Sequence, residues 1–303
     1  MEEIVIEKAE GVSKVTIALI LAATIAAAIS VVSHTHAHLL SKITLGIAIF
    51  FGSLALIKLL SAVAALFPRP VRSFIYWIHA VVFEILTFFC ILPWLHLTRF
   101  CKKYDLPIGS HSGKPILLIH GYCNDGTVWL YIRKKLAESG LGPIYLIHMG
   151  HPFRSVQQYA DLVQKRCHEI RKETGHEELI LIGHSMGGLV ATICALQCDL
   201  VSEVITIASP LAGTRVARIG LGQNARDMRI KSSIIVSAAE KLASEKRVKF
   251  SHMGTKTDQL IIPSSSSLPG INPSREFQFE DIGHASLLFS PRVAALLVKW
   301  IQS

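Results

Sequence analysis

From residue 115 onward, short solid aliphatic runs alternate with helix-length amphipathic stretches. This alternation restricts the fold more than any other feature of the 303 residues. PILLIHG (115–121) precedes a helical pattern over 128–139, and PIYLIHMG (143–150) precedes VQQYADLVQKRCHEIRKETG. LILIG (179–183) precedes MGGLVATICALQ. VITIAS (204–209) and RVKFSHMG (247–254) come later, and Pro291 to Ile301 reads as a final helix. A run that is apolar at every position is buried on both faces, which is the mark of a strand covered by helices on both sides. The expectation is an α/β fold, a mostly parallel sheet with helices on both faces.

The third run breaks at Gly183-His184-Ser185-Met186-Gly187, and small and apolar residues resume at once. A strand that turns straight into a helix needs a very tight bend, and the two glycines let backbone pass backbone. Ser185 is then held at the carboxyl end of a central strand with its hydroxyl presented outward, a nucleophile elbow. At about 7% glycine, roughly one chain in ten of this length contains G-x-S-x-G by chance. The strand–turn–helix context is what gives the motif weight.

A serine hydroxyl is a weak nucleophile unless a base takes its proton, so a histidine and an orienting acid should accompany it. On this kind of elbow they follow in the order acid, then histidine. Asp258 in GTKTDQLIIP (254–263) comes just after a predicted strand, and His284 lies in a glycine-preceded loop before the final helix. Asp227 has no strand before it, Asp281 is too near His284 in sequence, and His252 falls inside a strand. His120, His148, His151, His168 and His176 precede the nucleophile and read as structural or exposed. The negative charge that develops on an attacked carbonyl needs two N–H donors. The amide of Met186 at the start of its helix is one candidate, and that of Tyr122 in IHGY (119–122) is the other.

Residues 1–98 differ in kind. Val15 to Ser33 is uncharged and nearly matches the hydrocarbon thickness at ~1.5 Å per residue. The acidic start (Glu2, Glu3, Glu7, Glu10) and a second apolar run argue against a cleaved signal peptide. That second run, about 43–60, places Lys58 near its end, where it reaches the headgroups. The histidines His34, His36 and His38 lie in a polar turn between the two spans. A third apolar segment, about 73–97, carries His79, Glu84 and Pro93. It suits either the membrane interface or packing within the bilayer with Glu84 near Lys58. With two spans, the Arg69/Arg72 loop and Arg99-Lys102-Lys103 share the side of Lys8 and Lys14, which favours a cytoplasmic domain from residue 99 to 303 in a multi-pass membrane protein.

The net charge is +9. Nine basic residues lie between Arg215 and Lys249, opposed only by Asp227, Glu240 and Glu245. They read either as a solvated helical surface or as a face for anionic lipid headgroups. No nucleic-acid motif accompanies them. The six cysteines form no metal motif, and Cys194 and Cys198 are spaced as two buried side chains. No dinucleotide fingerprint is present, so neither a cofactor nor a metal is expected.

From Lys114 to Ser303 the chain resembles the α/β-hydrolase fold lipases and esterases, most of all the small bacterial class 2 triacylglycerol lipases. The resemblance rests on HGYCNDGTVW (120–129), GHSMGG (183–188), SPLAGT (209–214), the D-x-x-I-x-P pattern at Asp258, and GHASLLFSP (283–291). It implies hydrolysis of carboxylic esters through an acyl-serine, with Ser185, Asp258 and His284 as the triad and no cofactor or metal. The basic segment at about 211–245 falls where that fold carries a cap, and Val216, Ile219, Leu221 and Met228 are expected to shield an acyl groove. The chain departs from the pattern in its hydrophobic first hundred residues and its long basic segment. A lipid acyltransferase with the same triad and a non-catalytic hydrolase-like membrane scaffold are the alternatives.

Overall fold

A computed structural model describes residues 52–61, 64–87, 91–92, 106–110 and 112–303. The chain divides into two compact units, Met1–Ala80 and Val81–Ser303. The expected span over 15–33, the three histidines that follow it, the first half of the run at 43–60 and the boundary at 98/99 lie outside the described residues. Helix α1 covers residues 52–61, and α2 (Arg69–Leu86) runs across the division between the units. Among the described residues no helix is long and apolar enough to cross a membrane. Of the segment expected at 73–97, residues 73–86 belong to α2, which buries Tyr76, Ala80 and Glu84 at four-residue spacing and exposes Val71, Phe74 and Trp77. That is an amphipathic helix whose buried stripe contains a carboxylate.

The larger unit is built on six parallel strands, β1 (Ile116–Ile119), β2 (Ile144–Leu146), β3 (Leu179–His184), β4 (Val201–Ile207), β5 (Lys249–Thr255) and β6 (Arg275–Phe279). Their order is β2-β1-β3-β4-β5-β6. From β1 the chain goes first to one side of the sheet and then returns to the other. The resulting switch point lies between β1 and β3, and parallel sheets bind ligands in the crevice beyond the carboxyl ends of their strands at such a point.

Alternate residues of each central strand feed two cores. Leu117, Ile119, Leu179, Leu181, Val204 and Phe250 pack with α4 (Val156–Thr174), α5 (Met186–Ala195) and α7 (Ser233–Ser244). Ile116, Leu118, Ile180, Ile182, Ile205 and Met253 pack on the opposite face with α3 (Leu130–Glu138) and α8 (Pro291–Gln302). Each face therefore demands an apolar residue, and the strands read as unbroken aliphatic runs. The start of α4 is set locally. Ser155 and Gln158 form a reciprocal capping box, and Gly175 ends the helix in the left-handed conformation.

Five of the six strands coincide with the aliphatic runs. The sixth, β6, was not expected. It is an edge strand with Glu276 and Phe277 exposed, so its REFQF sequence lacks the solid apolar signal. Arg275 fixes it, donating to Glu203 at 2.6 Å and to the Trp300 carbonyl at 2.6 Å. Leu181 is fully buried in the central strand. Leu181→Ala is expected to cost about 2–5 kcal/mol, read as a lower urea midpoint with an unchanged slope.

Candidate active site

Ser185 joins β3 to α5 with φ 56° and ψ −128°, a strained conformation for a residue with a side chain. Two close approaches explain the flanking glycines. A Cβ on Gly183 would stand 2.3 Å from the Gly187 carbonyl oxygen, and one on Gly187 would stand 2.3 Å from that of Ile119. Backbone supplies both obstacles, so no side-chain shift relieves them. The Ser185 amide donates to the Ile207 carbonyl at 2.9 Å, tying the bend to β4.

The acid and the histidine meet at the same end of the sheet. His284 Nδ1 lies 3.0 and 2.9 Å from the two carboxylate oxygens of Asp258. The side chains are 2% and 0% exposed, so solvent screens the pair weakly. Asp258 Oδ1 also accepts from the amides of Leu260 at 2.8 Å and Ile261 at 2.7 Å, which holds it in place. Burial works against a charged imidazole at His284. The Asp258 carboxylate and, further off, that of Glu84 outweigh it and raise the His284 pKa.

Ser185 Oγ makes no hydrogen bond to His284 in this structure. The two are linked through His184, whose Nε2 lies 3.1 Å from the His284 carbonyl and whose ring centroid is 4.7 Å from that of His284. Burial first, then the charge of His284, push the His184 pKa well below the ordinary value and keep it neutral. Hydrogen bonds of catalytic groups often tighten only when substrate is bound.

Ile119 pairs with Gly183, so the loop after β1 runs alongside the Ser185 bend. Tyr122 lies in that loop. Met186 opens α5, where the first amides of a helix have no partner within it. Beside them, His120 is buried and accepts from the Met149 amide at 3.3 Å, a structural role. The rivals of Asp258 and His284 are likewise occupied. His252 bonds Thr206 at 2.9 Å and burial lowers its pKa to about 4. Asp227 accepts from the Val156 amide at 2.8 Å, and Asp281 pairs with Arg292 at 2.8 Å.

The segment at 211–245 carries a short turn at Val216–Arg218, α6 (Gly222–Asp227) and α7. Its apolar residues do not act as one set. Met228 is buried in the core and Val216 is half-buried, whereas Ile219 and Leu221 are 85% and 68% exposed. The Tyr122 hydroxyl donates to the Leu221 carbonyl and accepts from its amide, both at 2.9 Å, joining this segment to the loop after β1. The basic residues also divide. Arg247 donates to the carbonyls of Ala195 at the end of α5, of Cys198 in the turn after it and of Val201 at the start of β4, while Arg215, Arg218, Arg226 and Lys231 are exposed. Cys167, Cys194 and Cys198 are buried, with sulfurs within 4.8 Å of one another.

Four contributors were not anticipated from sequence. They are His184, the Gln259 side chain that accepts from the His284 amide at 3.3 Å, Glu84, and Thr214. Thr214 bonds the Leu260 carbonyl at 2.7 Å and the Ile262 amide at 2.9 Å, steadying the strand exit that carries Asp258. The SPLAGT motif holds Thr214, so a signal for it was present. A glutamate in an apolar stretch gave none for Glu84.

Comparison with known proteins bears on the fold. Residues 114–229 match the family model described as alpha/beta hydrolase fold. The chain is 30% identical over 159 residues to an sn-1-specific diacylglycerol lipase of Xenopus tropicalis, covering 50% of this chain and 49% of that protein. It is 27% identical over 107 residues to a triacylglycerol lipase of Pseudomonas fragi, covering 34% of this chain and 36% of the relative. A pimeloyl-[acyl-carrier protein] methyl ester esterase of Vibrio cholerae is 30% identical over 101 residues, 33% of this chain and 38% of the esterase. The chain thus spans half or less of the length of these curated relatives. Among solved structures, the mature form of a Bacillus licheniformis lipase superposes with a TM-score of 0.55 at 14% identity, covering 65% of this chain and 96% of that one. Lipase B of Aspergillus fumigatus does so with a TM-score of 0.55 at 16% identity, covering 66% and 55%. The strand order, the bend at Ser185 and these likenesses together give the chain the α/β-hydrolase fold.

Proposed function

We propose that this protein is a membrane-anchored serine hydrolase that cleaves the carboxylic ester bonds of acyl lipids through an acyl-serine. The observation that carries the reading is the buried Asp258–His284 pair, set beside a strained serine at the switch point of the sheet. The names of the relatives, lipase and methyl ester esterase, support an ester as the bond attacked. The triad, the two oxyanion donors, the acyl-serine and the membrane anchor are this reading's own.

In the first half-reaction Ser185 Oγ adds to the ester carbonyl and its proton passes to His284 Nε2. Asp258 stabilises the imidazolium through Nδ1, and the amides of Tyr122 and Met186 take the negative oxygen. Losing one such donor typically costs ~2.7–4 kcal/mol. The alcohol then leaves with the proton from His284. Water repeats the sequence on the acyl-serine, giving its proton to His284, and the carboxylic acid departs as Ser185 recovers its own. No step needs a metal or a cofactor. Exposed Ile219 and Leu221 beside exposed Arg215, Arg218 and Arg226 suit a surface that rests on anionic lipid. Together with the apolar runs before residue 98, they support the membrane as partner and a catalytic domain on its cytoplasmic side.

Ser185→Ala is expected to lower kcat for a p-nitrophenyl ester by on the order of 10⁶-fold, and to abolish labelling by a fluorophosphonate. Undiminished hydrolysis by the pure variant overturns the mechanism. His284 must be neutral to accept a proton, and its pKa is raised, so kcat/KM of the wild type should fall with decreasing pH through a midpoint above the ordinary histidine value. Asp258→Asn removes the main raising charge. Its midpoint should move to lower pH while the maximum drops on the order of 10⁴-fold. After lysis the full chain should sediment with membranes and be released by detergent but not by alkaline carbonate.

A further inference from the structure

Glu84 is a buried carboxylate in a segment that otherwise reads as apolar, and it stands near the carboxyl end of α2. The helix macrodipole disfavours negative charge there, and burial of an ionised carboxyl is unfavourable unless donors compensate it. Among the described residues, its hydrogen-bond donors come from the turn that follows His284. Oε1 accepts from the Ala285 amide at 2.7 Å, and Oε2 accepts from the Ser286 amide at 3.0 Å and the Ser286 hydroxyl at 2.9 Å. Thr87, one turn further on, adds a hydroxyl contact to Ser286 at 3.1 Å.

A second, independent observation comes from the other side of the histidine. A Cβ on Gly283 would stand 2.4 Å from Glu84 Oε2 and 3.0 Å from its Cβ. A side chain at position 283 would therefore have to displace the Glu84 carboxyl group. Residues 283, 285 and 286 are all shaped around one carboxylate, and the imidazole is the residue they enclose.

We propose that Glu84 is a positioning residue for His284: its carboxylate locks the turn that carries the imidazole and adds a second negative charge to that of Asp258. The proposal rests on the hydrolase reading above. It makes the segment upstream of the matched hydrolase region, which begins at residue 114, a working part of the catalytic centre as well as an anchor. Apolar packing alone would have served an anchor and would not have placed an acid at position 84.

The test uses the full-length protein, with p-nitrophenyl butyrate turnover followed across pH, fluorophosphonate labelling of Ser185 and thermal unfolding. Glu84→Gln keeps the shape but removes the charge and an acceptor. It is expected to lower kcat about 10- to 100-fold, the loss of a hydrogen bond to a charged group, with KM within about twofold. The acid limb of the pH profile should move to lower pH, which a merely structural role would not produce. Glu84→Asp keeps the charge, and its acid limb should stay nearer the wild type's than that of Glu84→Gln. If Glu84→Gln does not fold, Ser286→Ala carries the test through a several-fold fall in kcat, and an unchanged kcat in that variant overturns the proposal. A folded Glu84→Gln protein with wild-type kcat and an unmoved acid limb also overturns it, while leaving the hydrolase reading intact. A wild type that neither turns over ester nor takes the fluorophosphonate overturns both.

Discussion

Everything at the functional end of the sheet depends on one steric constraint, the passage of backbone against backbone around Ser185. The strand must become a helix within a single residue, and at Gly183 and Gly187 any side chain would strike a carbonyl at 2.3 Å. Holding Ser185 at φ 56° costs of order 1–3 kcal/mol. The central position of β3 meets that cost, because β1 and β4 flank it on both sides and pair with it in unbroken register from Ile180 up to the bend. A bend at an edge strand would have only one such neighbour. Strain and burial are therefore parts of one arrangement, and the strain persists because the surrounding sheet over-determines it.

In the proposed mechanism the histidine poses the opposite problem, since there it must be mobile in charge but fixed in place. Its environment solves the two parts separately. Asp258 supplies charge directly at Nδ1, while neutral His184, Gln259 and Glu84 hold the main chain on either side of the ring. Burial alone would keep the imidazole neutral, and the carboxylates reverse that tendency. His252, also buried and bonded to the Thr206 hydroxyl, shows what burial does where no carboxylate raises the value, its pKa falling to about 4.

The segment over 211–245 extends the same logic outward. Its Leu221 backbone is held by the hydroxyl of Tyr122, the residue whose amide lies in the loop beside Ser185. The segment and that loop are thereby joined through the Tyr122 side chain. Its apolar residues divide between core and surface, because Met228 faces the sheet while Ile219 and Leu221 face solvent.

Much of this was written in the sequence. Strands buried on both faces must be apolar throughout, so five of six were visible as aliphatic runs. The edge strand β6 was hidden by its half-solvated face. Ser185, Asp258 and His284 were legible because each follows a strand or precedes a helix with the small residues that a bend requires. The packing of the second layer left no such trace. Nothing in IHAVVFEILT says that Glu84 will face the turn after His284, and nothing in GHASLL says which side chain the glycine admits. Local pattern determined where the chain extends, bends and coils, since those choices depend on neighbours in sequence. Which distant groups share one buried charge was decided only by the tertiary fold, because a carboxylate's partners are set by distance in space.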